Sequence, residues 1–245
     1  MRSRGWIQSV HTIEAYLKQG VSGELLLEKG HARAEPLAKL CATTKVTIRR
    51  VSREALRRTV KDQNARIAAF LPVDERGGNR GSSSEFRIED FLNPSAGDIL
   101  VAMDQVTDQH NIGAIIRSAD RFGARCVLYP RHGAASPTAD NPLLQSSAGT
   151  AAHLPHGNVV NLARTLRQFG KAGYWIYGAD AKGQNVRTAV INRPAVLVLG
   201  SEDRGLRPNV RASCDALLSI PGGGFADSLN VSVAAGILLY EMTGR

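Results

Sequence analysis

The sequence predicts an α/β protein in two parts. A small basic α/β domain covers residues 1–71, a larger doubly wound α/β domain covers 98–245, and a linker covers 72–97. Three observations predict this. Short apolar runs of strand length alternate with segments of helical periodicity on both sides of the linker, the pattern of layered α/β structure. Residues 72–84 are rich in Gly, Ser and charge and nearly empty of apolar side chains, as expected of flexible connecting chain. The net charge of +9 is also unevenly spread. Residues 1–71 hold 14 Lys/Arg against 6 Asp/Glu, a balance of +8, while 72–97 stand at −2 and 98–245 at +3.

The first domain alternates in type along the chain. Helical spacing covers 9–18, 34–42 and 52–60, and strand-like runs cover 24–27, 46–51 and 67–71. Arg53 and Arg57 are four apart and share a helix face, with Arg49 and Arg50 just before. That face suits phosphate groups, and it equally suits water. A basic domain beside a nearly neutral one points to a polyanion partner.

Beyond the linker, 99–103 reads as a short apolar strand. Ile112, Ile115, Ile116, Ala119 and Phe122 then fall at helical spacing over 111–122, and Gly123 stops the helix. Strands are expected over 126–129, 174–177, 195–199 and 216–220, and helices over 159–169 and 230–242. The 195–199 run is almost wholly apolar, as in a parallel strand covered on both faces.

Composition excludes several classes. At 43% hydrophobic and 22% charged, the chain has the make-up of a folded globular protein and the length to bury a core. No apolar run reaches the roughly 20 residues of a membrane span. The first residues lack the apolar stretch of a signal peptide, so the cytoplasm is the expected compartment. Cys41, Cys126 and Cys214 are widely spaced and odd in number, which fits neither a disulfide framework nor a zinc site. His153 and His156 have no further ligand nearby, so no metal is expected.

Three loops of the second domain combine glycine, polar side chains and strand ends, where ligands sit in open α/β sheets. The first carries Asn111 near a helix start and Arg117 about two turns in; Arg117 reads either as a functional group or as a structural arginine paired with a carboxylate. The second follows the most apolar strand from Leu199 through Gly200 and Glu202 to Gly205. It lacks the closing Lys-Ser/Thr of a P-loop and the spacing of a dinucleotide turn. The third runs from Ile220 through Gly222, Gly223 and Gly224 to Ser228, Leu229 and Asn230, where Ser228 or Asn230 caps the last helix.

In this order and spacing the three loops resemble the SpoU (TrmH) family of RNA ribose 2′-O-methyltransferases in the SPOUT superfamily. Asn111, Gly113, Arg117, Ser118 and Ala119 match its first motif. Gly200, Glu202 and Gly205 match its second, and Ile220, Pro221, Ser228, Leu229, Asn230, Ser232 and Ala234 match its third. The match spans essentially all of 98–245. The first domain resembles, more weakly, the RNA-binding extension of the 23S rRNA guanosine-2′-O-methyltransferase branch, from whose motifs it departs at 6–10 and 64–66.

The resemblance implies a deep trefoil knot in the C-terminal domain and a homodimer. It implies S-adenosylmethionine held by Ala179, Leu199, Gly200, Ile220, Ser228 and Leu229, mostly through backbone groups. Arg117, Asn111, Glu202 and Asn230 would form the catalytic set. RNA would be bound through Arg49, Arg50, Arg53 and Arg57, with rRNA favoured over tRNA. Two other readings compete: a non-catalytic RNA-binding assembly factor on the same fold, and an oxidoreductase on an ordinary Rossmann domain, which the missing dinucleotide turn disfavours.

Overall fold

The computed structural model describes residues 6–8, 10–18, 22–31, 34–60, 65–70, 86–130, 154–225 and 228–244. The chain divides into two compact units, which meet in sequence between Glu85 and Phe86.

In the first unit β1 (Ser22–Glu28) is the central strand of a three-stranded sheet ordered β2-β1-β3. It pairs in parallel with β2 (Lys45–Val51) and antiparallel with β3 (Ile67–Phe70). A parallel neighbour needs a crossover, and α2 (Ala34–Cys41) supplies it; α1 (Val10–Lys18) precedes β1 and α3 (Arg53–Val60) follows β2. Leu25, Leu26 and Leu27 are all buried, so β1 is covered on both faces. Leu26 packs with Leu56 of α3 and Ala65, ringed by Trp6, Val51 and Val60. Ile13, Leu17 and Leu37 of α1 and α2 are also buried.

The second unit is built on six parallel strands. These are β4 (Ile99–Met103), β5 (Cys126–Pro130), β6 (His156–Val159), β7 (Trp175–Asn185), β8 (Ala195–Leu199) and β9 (Ala216–Ser219). Their order is β6-β5-β4-β8-β7-β9. Every residue of β4 and β8 is buried, as the apolar runs require. Leu100, Ala102, Cys126, Leu128, Val196 and Val198 point into a core with α5 (Leu162–Lys171) and with Val210 of α6 (Pro208–Arg211). The alternate strand residues face α4 (Gln109–Arg121) and α7 (Val231–Thr243), which pack on each other.

Three expectations are corrected, and one helix is added. The helix expected over 159–169 starts later, because Asn161 accepts the amide of Arg164 and caps α5, leaving 156–159 as β6. The strand expected over 174–177 runs on to Asn185, because a bulge between Ala179 and Gln184 lets it keep pairing with β9. Helix α6 has no apolar stripe to announce it. Residues 86–97, expected as the end of the linker, belong to the second unit: Phe86 and Phe91 stack 5.5 Å apart, and Ile88 and Leu92 pack on its core.

His156 is buried in β6, stacks on Tyr129 at 6.2 Å and lies with Nδ1 2.9 Å from the Leu154 carbonyl. That carbonyl selects the tautomer with the proton on Nδ1, and burial lowers the pKa of the ring. The native state therefore resists the proton that the unfolded state takes up below about pH 6.5, and stability falls as pH drops through that value. Urea midpoints at pH 7.5 and 5.5 are expected to differ less in His156→Phe than in the wild type.

Candidate active site

The site follows from the strand order. Connections leave β4 toward β5 and β6 on one side, while β8, β7 and β9 lie on the other. Ligands in open α/β sheets bind at such a switch, outside the carboxyl ends of the strands. All three loops singled out in the sequence follow carboxyl ends of this sheet, after β4, β8 and β9.

The loop after β8 is held tight. Ser201 and Gly205 form an antiparallel bridge, with N–O distances of 3.2 and 2.9 Å. Gly205 has φ +63°, which favours glycine. A Cβ on Gly200 would stand 2.3 Å from the Gly205 carbonyl carbon, so no side chain fits there.

Glu202, at the tip of that loop, joins the other two. Its Oε1 accepts from Asn111 Nδ2 at 3.1 Å, from Asn230 Nδ2 at 2.6 Å and from the Val231 amide at 3.2 Å. Asn230 Nδ2 also donates to Asn111 Oδ1 at 3.0 Å. Asn230 Oδ1 in turn accepts from the Ser232 amide at 3.0 Å and from its hydroxyl at 2.6 Å, capping α7. The carboxylate can only accept, so it fixes both asparagine amides with their nitrogens toward it. Three catalytic candidates, Asn111, Glu202 and Asn230, thus form one node.

Arg117 stands apart from it. It lies six residues beyond Asn111 on α4, about 9 Å along the axis. It is exposed and makes no hydrogen bond or ion pair among the described residues. The other reading of Arg117, a guanidinium paired with a carboxylate, has no such carboxylate among the described residues.

The cofactor candidates also gather at this edge. Leu199 is fully buried, and its carbonyl accepts the Asp104 amide at 2.7 Å, so it forms floor. Ala179 and Ile220 are half-buried. Ser228 and Leu229 are exposed, and Asn230 rather than Ser228 is the helix cap. Among the described residues no three His, Cys, Asp or Glu side chains are grouped to hold a metal ion.

The RNA-binding candidates of the first unit are largely occupied. Arg49 donates to Glu24 at 2.8 Å, Arg50 to Glu35 at 3.5 Å, and Arg53 lies 4.0 Å from Glu28. Glu28 also accepts from Arg66 at 2.8 Å, and that bond holds its carboxyl below the usual range. Arg57 shares the α3 face of Arg53, but its Nε is buried with no partner.

Sequence reasoning missed the support beneath the site. Asp104, at the end of β4, is fully buried and takes the Nε, Nη2 and backbone amide of Arg207 at 2.7, 2.6 and 2.8 Å. The pair ties the loop after β4 to the start of α6. An acid flush with a wholly apolar strand was the available signal, since a buried carboxylate needs a counter-charge.

Residues 98–240 match the SpoU rRNA Methylase family. The chain belongs to that family. Its relatives include a 23S rRNA (guanosine-2′-O-)-methyltransferase RlmB of Photobacterium profundum, 32% identical over 98% of this chain and 97% of that one. An uncharacterized tRNA/rRNA methyltransferase of Mycolicibacterium paratuberculosis is 42% identical over 63% of this chain, of whose own length the aligned part is about half, 51%. Among solved structures, the SpoU methyltransferase AviRb from Streptomyces viridochromogenes in complex with AdoMet superposes with TM-score 0.74 at 25% identity, over 98% of this chain and 89% of that one. The SpoU family match contains all three loops of the node, and the fold it implies is the α/β parallel sheet seen here.

Two outcomes test this construction. Glu202→Ala should lower unfolding stability by about 1–2 kcal/mol, since bonds to a charged acceptor are worth about 1.5–3 kcal/mol and exposure reduces that; Glu202→Gln, which keeps an acceptor oxygen, should lose less. Arg207→Ala should cost about 3 kcal/mol in urea unfolding, more than Asp104→Ala, because it strands a buried carboxylate.

Proposed function

We propose that the protein methylates a ribose 2′-hydroxyl in structured RNA with S-adenosylmethionine as donor, with a guanosine of 23S rRNA as the first target to test. The observation that carries this is the node of Asn111, Glu202 and Asn230 at the sheet's switch point, within the stretch that matches the family. The nearly full-length alignment with the Photobacterium enzyme supports the target, and the AdoMet complex of the Streptomyces enzyme supports the cofactor.

The residues present fit that cofactor. Gly222, Gly223 and Gly224 would meet no atom within 4 Å if each carried a Cβ, so the backbone there is open to close approach by a ligand. Exposed Leu229 and half-buried Ile220 offer apolar surface to a flat base. Ala179, Leu199, Gly200, Ile220, Ser228 and Leu229 would hold the group, which supplies an electrophilic methyl on a sulfonium sulfur.

This chain's residues then orient and polarise. The Arg117 guanidinium carries five N–H donors and no acceptor, so it acts as a cationic donor and not as a neutral base. It holds a phosphate and polarises the 2′-hydroxyl, whose proton passes to that phosphate or to water. Asn111 and Asn230 place the ribose. Glu202 has one oxygen saturated by three donors, which makes it the organiser of the node.

The knot is part of the same reading. Between β9 at the sheet edge and the start of α7, Glu202 of the Gly200–Gly205 loop receives Asn230 and the Val231 amide, a contact that supports this reading. Knots are otherwise rare. A homodimer is proposed on the outer face of α7, where Val233 and Tyr240 are exposed and Tyr240 meets Phe122 edge-on at 6.2 Å. The basic first unit, where Arg57 makes no ion pair among the described residues beside the paired Arg49, Arg50 and Arg53, adds salt-sensitive affinity for RNA. The cytoplasm is the compartment that holds this substrate; no helix among the described residues is long and apolar enough to cross a membrane.

The test is methyl transfer from labelled S-adenosylmethionine to unmodified total RNA, followed by nucleoside analysis. Labelled 2′-O-methylguanosine in large-subunit rRNA is expected. Label in tRNA replaces the target, and cofactor binding with no label replaces catalysis by an assembly role. Arg117→Ala should cut kcat at least about 100-fold, the scale of a lost transition-state donor, with cofactor affinity by calorimetry unchanged.

A further inference from the structure

We propose that Arg121 binds an RNA backbone phosphate beside the target nucleotide, one helical turn beyond Arg117. This rests on the RNA methyltransferase reading above and adds a residue to its RNA-facing surface. Several guanidinium groups of the second unit are taken up internally. Arg125 pairs with Asp98, Arg187 with Glu241, Arg207 with Asp104 and Arg211 with Asp180, while Arg193 donates to the Met242 carbonyl. Arg117 and Arg121, like Arg164 and Arg204, are exposed and have no such partner among the described residues, and they alone of these share one helix face beside Asn111.

Their placement makes the two a unit. Residues four apart on a helix lie about 5–6 Å from each other on one face. His110, seven residues before Arg117, lies exposed on the same stripe, and Ala114 between them is too small to interrupt it. The opposite face, Ile112, Ile115, Ile116 and Ala119, is buried. Asp120 projects about 100° from Arg121 around the helix and lies three residues from Arg117, near its face; no ion pair joins it to either arginine among the described residues. The stripe begins beside Asn111, whose side chain is in the node, so chain bound along it passes the reacting ribose.

Two guanidinium groups one turn apart, with no ion pair to a carboxylate among the described residues, complement a polyanion. The second copy proposed above is placed on α7 instead, at exposed Val233 and Tyr240. Phosphate contacts fix register and orientation without reading sequence, so Arg121 is a binding residue whose loss should leave the chemical step intact.

The experiment compares wild type, Arg121→Ala and Arg121→Lys as full-length proteins on unmodified rRNA, from 50 to 200 mM salt. For Arg121→Ala the RNA KM should rise several-fold with kcat at saturating RNA unchanged. The slope of log affinity against log salt should flatten by about 1, the loss of one phosphate contact. Arg121→Lys should restore the slope. Cofactor affinity by calorimetry and mass by light scattering should stay at wild-type values. An unchanged KM and slope overturns the proposal, and so does a KM change that comes with altered mass or weakened cofactor binding. RNA affinity is read separately from turnover, so a wild type that binds RNA but transfers no methyl sinks the function proposed above while the salt slope still decides Arg121.

Discussion

One carboxylate oxygen holds the site together. Glu202 Oε1 receives a side-chain amide from the loop after β4, and a side-chain and a backbone amide from the start of α7. No apolar contact could do the same work, because the segments meet at an exposed sheet edge where only directional bonds fix geometry. The arrangement is self-consistent: each asparagine must present nitrogen to the acid, and each then has its oxygen free for the other partner, Asn230 for Asn111 and Ser232 for Asn230. The tight turn behind Glu202, closed by Gly200 and Gly205, keeps that oxygen in reach.

Beneath the node the support changes in kind. β4 and β8 run side by side fully buried, and their ends are clamped by the Asp104 amide on the Leu199 carbonyl and by the Asp104–Arg207 pair. The glycine loop beyond β9 shows no such clamp among the described residues, and its three glycines have open space around them. Charge is partitioned as well: the first unit spends much of its basic excess on Glu24, Glu28 and Glu35, while the outer face of α4 keeps its arginines bare.

Much of this was legible in the sequence because the central elements follow simple periodicities. β4 and β8 read as unbroken apolar runs, and α4 shows its buried stripe at Ile112, Ile115, Ile116 and Ala119. Asn230 was visible as one of two possible caps. What stayed hidden depends on tertiary partners. His156–Val159 is a strand because β5 pairs with it, and its polar sequence gives no alternation. β7 continues past Gly178 through a bulge whose residues Asp180, Lys182 and Gly183 look like a turn. The ion pairs of Arg49, Arg50 and Arg53 join residues 15 to 25 apart, beyond the reach of local pattern.

The node also orders events during synthesis. Asn111 must wait 91 residues for Glu202 and 119 for Asn230. A nascent chain that has emerged through Gly205 already holds the paired central strands and the tight loop, yet its Glu202 has only one of the two segments that will supply its donors. The site closes only once residue 231 has left the ribosome and α7 has docked on α4. Termination between that loop and α7 therefore yields a chain with paired central strands and no assembled node.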